Sequence, residues 1–367
     1  MALDCWRYID EDGVSASFGL AADEWMACRR EGPPCLRLYT YRSHCVLIGR
    51  YQRLEAEANV GACRALGVEL NRRPTGGGTI LMGADQLGVA LTIPASARAG
   101  FPRATRDLFP HLAEGLITAL RELGVAASFH RKNDLEVAGR KIAGLGIFAA
   151  PSGGLLFHAS LVVDLDVAFM LQVLHTPFEK LADKAVATVA ERMTTLRREA
   201  GRPVTVDEVR DRIRAGYAEA FGVVLEEAVW TLEESEDICA LEEAKYRSAA
   251  WLDQPGLVPD AGGRSRHKAA GGLVEVALTL RGDLISQCTL TGDFFAGDGQ
   301  VASLERSLRR TAVEPVAIRT AVDRAYAEGA RLEGVPPDLL ATAVLEAAAD
   351  AAARRATGQP YGCFVNP

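Results

Sequence analysis

Apolar positions recur along the chain in two rhythms, and the rhythm changes mark out the elements. Helical spacing is present in 15–30, through Leu20, Trp25 and Met26, and in 107–124, where Leu112, Leu116, Leu120 and Leu123 share a face and Gly124 stops the run. A third helix is predicted over 205–222. Val209, Ile213, Tyr217 and Phe221 recur every four residues there, and Thr205 and Glu208 stand at capping-box spacing. Short strand-like runs occupy 35–52 on either side of Arg42-Ser43-His44, 68–94 as strand, glycine loop, strand, loop, strand, and 153–166. The stretch 134–148 reads as a hairpin turning at Ala138-Gly139. Beyond Gly222 the texture shifts: 271–295 alternates as a meander, followed by two helical patterns, "VASLERSLRR" and "PPDLLATAVLEAAADAAARR". The pattern predicts an α+β protein with a mixed-sheet first domain, residues 1–225, and a smaller α+β second domain, 226–356, with the boundary near 223–245. The segment 357–367 reads as a loosely attached tail.

Composition narrows the class. The 367 residues are 49% hydrophobic, enough for a sizeable core, and the net charge is −7. No basic stripe points to a nucleic-acid partner, and no apolar run reaches the length of a membrane span. The N-terminus lacks a basic-then-apolar leader pattern. Eight cysteines stand at irregular spacing without a CxxC pair, which reads as reduced thiols in the cytoplasm rather than a zinc site or a disulfide framework.

Three stretches carry candidate chemistry. "NRRPTGGGTILM" (71–82) places three glycines after an arginine pair. Ordering such a run is costly, so something must approach that backbone closely; its N–H groups suit an anion, and Arg72 and Arg73 suit carboxylate or phosphate. No GK[ST] follows, and no GxGxxG opens a helix, so neither nucleotide fingerprint applies. "NDLEVAGRKIAGLGIF" (133–148) sets Lys141 beside small residues on one strand face, although a lone strand lysine commonly snorkels to the surface. "FHASLVVDLD" (157–166) sets His158 in an apolar strand, where a satisfied core histidine is the usual reading.

In this order and spacing, "RRPTGGGTIL", "NDLEVAGRKIAGLGIF" and "FHASLVVDLD" resemble the motifs of the lipoate–protein ligase A family, within the wider group of biotin and lipoate ligases and octanoyltransferases. "LRLYTYRSHCVLIGRYQ" resembles that family's early strand pair, and "GGLVEVALTLRGDLISQCTLTGDFF" its accessory C-terminal domain. The resemblance implies that Arg73, Thr75, Gly76, Gly77 and Gly78 cover the lipoyl chain and acyl-adenylate. It makes Lys141 the catalytic lysine, and puts Asn133 and Asp134 on the nucleotide and magnesium side. Gly144, His158 and Ser160 would line the same pocket. The implied substrates are lipoic acid and ATP with Mg2+, and the implied acceptor is a lysine of a lipoyl carrier domain. A lipoyl chain buries few methylenes, roughly 3–5 kcal/mol, or about millimolar binding, so the nucleotide half must supply the rest of the affinity.

Two departures bear on the reaction. After the glycine loop, Met82-Gly83 stands where many ligases carry His-Asp, and "GADQLGVAL" resembles the octanoyltransferase version. The ATP-independent transferases, the rival reading, use a cysteine nucleophile. One type carries it in A-C-F-D, where this chain has Ser128 in "ASFH"; another carries Pro-Cys-Gly, where this chain has Thr176-Pro177-Phe178. No cysteine lies between 63 and 239, while Cys363 sits in the tail. A non-catalytic lipoate-binding relative is the remaining alternative. The expectation is an ATP-dependent lipoate–protein ligase.

Overall fold

The computed structural model describes residues 4–130, 133–175, 188–254 and 262–356. The chain forms two compact units. The first runs to Leu252, apart from two short excursions, Gly49–Arg53 and Thr75–Gly78, which belong to the second unit with Asp253 onward.

The strands of the first unit are β1 (Asp4–Val14), β2 (Cys35–Tyr41), β3 (Cys45–Ile48), β4 (Glu69–Arg72), β5 (Ile80–Met82), β6 (Gln86–Ile93), β7 (Ser128–His130), β8 (Asp134–Val137), β9 (Arg140–Ala149), β10 (Leu155–Val162) and β11 (Val223–Glu227). Eight form one mixed sheet in the order β11-β1-β2-β6-β10-β9-β8-β7. β1 runs parallel to both its neighbours, and the remaining pairs are antiparallel. The two strand-like runs of 35–52 are both present and go to different sheets: β2 enters the large sheet, and β3 leaves it to centre a small sheet of order β4-β3-β5. The predicted hairpin at 134–148 is present. Ala138 and Gly139 both have positive φ, 49° and 78°, the geometry of a two-residue hairpin turn.

The principal helices of this unit are α1 (Ala16–Cys28), α2 (Thr105–Glu122), α3 (Val206–Phe221) and α4 (Leu232–Leu241). Strand β1 is one element that the hydrophobic pattern missed, because its second half, "IDEDGV", is acidic; β11 and α4 are others. The charges of β1 are met from two sides: Arg210 of α3 lies 2.8 Å from Asp10 and also pairs with Asp12, while Arg37 of β2 lies 2.5 Å from Glu11. At the start of α3 half of the expected capping box forms. Thr205 accepts from the Glu208 N–H, while the Glu208 carboxylate turns to Arg202 at 2.5 Å. The reciprocal box occurs instead at Thr231 and Glu234, opening α4.

Alternation divides the large sheet into two faces. On one, Leu36, Leu38, Leu87, Val89, Phe157, Leu161 and Leu135 are all fully buried. Phe129 of this face stacks on Phe109 of α2, and Trp6 packs on Phe221 of α3. On the other face, Arg37 reaches α1 through Asp23 at 2.8 Å and the Gly19 carbonyl at 3.1 Å.

In the second unit, β12 (Gly263–Ala269), β13 (Gly272–Arg281) and β14 (Leu284–Gly292) make an antiparallel meander, of which the pattern at 271–295 predicts β13 and β14 and leaves out β12. With α5 (Gln300–Leu308), α6 (Pro315–Ala327) and α7 (Pro337–Ala356) they enclose a core that includes Val276, Leu278, Phe294, Leu304, Ile318 and Val344. The architecture is α+β, as the sequence predicted.

Candidate active site

Register builds the site on the α1 face of the large sheet. Directly paired residues share a face, so one row runs Tyr39, Gly88, Ser160, Gly144, Asp134, His130 across β2, β6, β10, β9, β8 and β7. The next row holds Arg37, Ala90, His158 and Gly146. Lys141 joins this face only because the β8–β9 ladder slips. Counting back from Gly144 by twos, Ile142 would share its face. The irregularity between Leu135 and Glu136 instead sets Lys141 opposite Glu136, on the Asp134 side. A bulge is a common device for re-aiming a side chain at a site.

Lys141 Nζ lies 2.6 Å from Asp134 Oδ1, a close ion pair with about a third of each side chain exposed (30% and 32%). The lysine arches over Gly144: a Cβ there would stand 3.0 Å from Nζ and 3.3 Å from Ser160 Oγ. Asn133 is held at the edge of this group, exchanging bonds with Leu145, whose carbonyl accepts from its side chain at 2.8 Å. Burial, and then the charge of Arg73, push the His158 imidazole down to about 3, so it is neutral at physiological pH. Arg73 is itself buried, which lowers its guanidinium to about 10, still cationic, and it donates to the Leu47 carbonyl at 2.5 Å.

The arginine pair thus divides its labour. Arg72 is not available to a ligand: fully buried, it donates to the Trp251 and Leu252 carbonyls at 3.0 and 2.7 Å, and Trp251 Nε1 donates back to the Arg72 carbonyl. The glycine loop belongs to the second unit, and there the chain itself makes the close approach. A Cβ on Gly76 would stand 2.3 Å from the Phe294 carbonyl oxygen, and one on Gly49 would stand 1.9 Å from that of Gly77. Gly77 has φ +92°, and Gly78 faces open space. Thr75 is buried, its carbonyl accepting from the Arg50 N–H.

Asp134 faces an ammonium group, and among the described residues no group of three acidic, histidine or cysteine side chains converges. Asp134, the carboxylate that the resemblance puts on the magnesium side, is already paired with Lys141. Among the described thiols, burial raises Cys28, Cys35, Cys45, Cys63 and Cys288, and a Glu226 contact raises Cys5. Thr176-Pro177-Phe178 and Cys363 lie outside the described residues.

A family profile described as the lipoyl protein ligase A/B catalytic domain matches residues 15–218. The chain belongs to that family. A second profile, the bacterial lipoate protein ligase C-terminus, matches 259–333. Among curated family members, octanoyltransferase LipM of Kyrpidia tusciae is 31% identical over 274 residues, covering 68% of this chain and 98% of that protein. LipM of Bacillus subtilis is 26% identical, covering 68% and 99%. Among solved members, a bipartite lipoate protein ligase of an archaeal lipoylation system, from Thermoplasma acidophilum, superposes with TM-score 0.61 at 26% identity, covering 68% of this chain and 96% of that one. LipL1 of P. falciparum, solved with lipoate, shares the fold over 93% of this chain and 99% of its own, with TM-score 0.73 at 13% identity. The expected ligase-family fold is thus found, while the curated relatives carry the name of the rival activity.

Proposed function

We propose that this chain activates a lipoyl or octanoyl acid with ATP and transfers the acyl group to a lysine of a lipoyl carrier domain. The observation that carries the ATP-dependent route is Ser128. Through the pairs Ser128–Glu136 and Glu136–Lys141 it occupies the row of the catalytic-lysine candidate, where a thioester route needs a thiol. A serine hydroxyl there has no thiolate to offer, which favours an acyl group activated by another means. The match of residues 259–333 to the bacterial lipoate protein ligase C-terminus supports the same reading.

The roles follow from the geometry. Lys141 brings a point charge to the face at Gly144, which carries no side chain beneath it. It is suited to balance charge as a carboxylate attacks phosphorus, and again as an amine attacks the resulting anhydride. Arg73 adds a buried cation beside the neutral His158, and Ser160 offers a hydroxyl to the same groove. ATP supplies the leaving group, and magnesium would come with its phosphates.

The second reading is octanoyl or lipoyl transfer from an acylated donor without ATP, which the names of the curated relatives favour. One experiment separates them: pyrophosphate release from ATP with lipoate or octanoate, in wild type, Lys141→Ala and Ser128→Ala. The ligase reading expects acid-dependent release, lost in Lys141→Ala and kept in Ser128→Ala. Transfer from an octanoylated carrier without ATP, with no pyrophosphate released, would move the chemistry to the second reading.

A further inference from the structure

The second unit carries an arginine-ringed cleft of about 650 Å3 that plays no part in the site above. It lies at the β13–β14 turn and the end of α5, lined by Arg281, Leu284, Ser286, Gln287, Arg309 and Arg310 among others, with no acidic side chain in the lining. None of the three arginines forms an ion pair among the described residues, whereas Arg266, Arg319 and Arg354 of the same unit each face a carboxylate. A fourth guanidinium, Arg355, is fixed at the turn by the Gly282 and Leu280 carbonyls, at 3.1 and 2.7 Å. On a chain of net charge −7, four guanidinium groups outnumber the one carboxylate of the turn, Asp283, and make a local excess of positive charge.

Two details indicate what the cleft takes. Arg310 has φ +65°, a conformation that side chains other than glycine seldom adopt, held by its N–H to the Ile285 carbonyl at 2.7 Å. The backbone is bent at a cost to present that residue. Leu284, 45% exposed, is one of few large aliphatic side chains left at the surface among the described residues, and it sits within the arginine ring. Arginine around an exposed aliphatic anchor is the composition of a protein-docking patch. A phosphate group would satisfy the guanidinium charges and leave Leu284 uncovered.

We propose that this cleft docks the acidic surface of the acceptor protein, with carboxylates against Arg281, Arg309 and Arg310 and an apolar side chain on Leu284. The inference rests on the carrier-domain reading above and names which surface of this chain recognises the carrier.

The test uses the full chain and a purified, unmodified lipoyl domain. Arg281→Ala/Arg309→Ala/Arg310→Gly removes the three charges, and the glycine relieves the positive φ, so the variant should fold. Leu284→Ser is made separately. The expected result for the triple variant is a KM for the carrier raised ~10-fold, with kcat and lipoate-dependent pyrophosphate release unchanged. Direct binding of the labelled domain should weaken in parallel, and the wild-type affinity should fall with salt. Leu284→Ser should weaken binding without altering the salt dependence. An unchanged carrier KM overturns this inference alone, as does a variant in which pyrophosphate release falls in proportion. Carrier binding that phosphate displaces from wild type while both variants bind normally overturns it as well. A wild type that neither binds nor modifies the domain overturns the carrier reading, and this inference with it.

Discussion

The two faces of the large sheet are made by the same strands and built to opposite rules. On β10, Phe157 and Leu161 point to one side and are fully buried, while His158 and Ser160 point to the other and keep partial exposure. On β6, Leu87, Val89 and Leu91 oppose Gly88 and Ala90. One face is filled by large aliphatic and aromatic side chains throughout; the other packs Tyr39 and Leu156 with α1 and turns to small and polar residues around Gly144, Ser160 and Lys141. Under the proposed function, stability and chemistry fall to alternate residues of single strands. Substitutions one position apart should have different kinds of effect.

The largest effect is expected at Lys141. Lys141→Ala should lower carrier acylation by ~1000-fold, of the order seen when one preorganised stabilising group is lost. Its ion pair with Asp134 is partly exposed, so unfolding free energy should change by less than about 1 kcal/mol. Lys141→Arg should not restore activity, because a planar guanidinium cannot take the place of a compact ammonium over Gly144. Near-normal turnover in either variant, measured as acylated carrier by mass spectrometry, would remove Lys141 from the chemistry.

Phe157→Ala tests the other face. It should cost ~3–5 kcal/mol of stability, the range for a fully buried aromatic, with turnover per folded molecule retained at low temperature. A denaturant titration beside an activity assay reads both. If turnover falls and stability holds, the assignment of the faces is wrong.

Gly144→Val lies between these extremes. The new side chain enters the groove where a Cβ already meets Lys141 Nζ at 3.0 Å, and the flexible lysine must give way. The expected outcome is a ~10–100-fold loss in kcat/KM through misplacement of the lysine, with the melting temperature within a few degrees of wild type. Gly78→Val is the companion in the glycine loop, since that site is open and has no positive φ. Gly76→Val would not discriminate, because it clashes with the backbone at Phe294 whatever the ligand does.

Much of the α1 face was legible in the sequence because it depends on alternation and on small residues. The hairpin at Ala138-Gly139, the helices α1 to α3 and the strands β13 and β14 of the C-terminal meander follow from periodicity and turn chemistry. What sequence periodicity could not supply was pairing. The bulge that turns Lys141 toward Asp134 leaves no compositional mark, and strict alternation from Gly144 would have sent the lysine to the buried face. The same limit applies to β2 and β3, adjacent in sequence and divided between two sheets, and to β1, whose acidic half is neutralised in part by an arginine some 200 residues on (Asp12 to Arg210, 198 apart). The glycine run correctly announced a close approach, yet the approaching atoms at Gly76 belong to Phe294. Arg72, read as an anion ligand, is committed to the Trp251 and Leu252 carbonyls; nothing local in "NRRPTGGG" distinguishes it from Arg73.

The smallest effect tests His158, the residue on which the two rules meet: a polar side chain on the open face, yet held neutral as a core residue would be. Its folded pKa is lowered to about 3 from an ordinary 6.5. Above pH 6.5 neither state is charged and the residue contributes no pH dependence. Between 6.5 and 3 the unfolded chain binds a proton that the folded chain refuses, so stability falls as the pH falls. The slope approaches ~1.4 kcal/mol per pH unit, which from pH 7 to 5.5 amounts to about 1 kcal/mol. His158→Gln removes the titrating group and should shrink the wild-type stability loss over that interval by this amount, read from urea midpoints at the two pH values. The activity profile gives a second check: an imidazole already neutral at pH 5 cannot add a step near 6.5 to the pH dependence of kcat. An unchanged acid sensitivity in the glutamine variant, or a wild-type step near 6.5 that the variant loses, would mean that His158 is protonated in the native state. Arg73 would then face a second cation, and the open face would be organised around an anion held between the two.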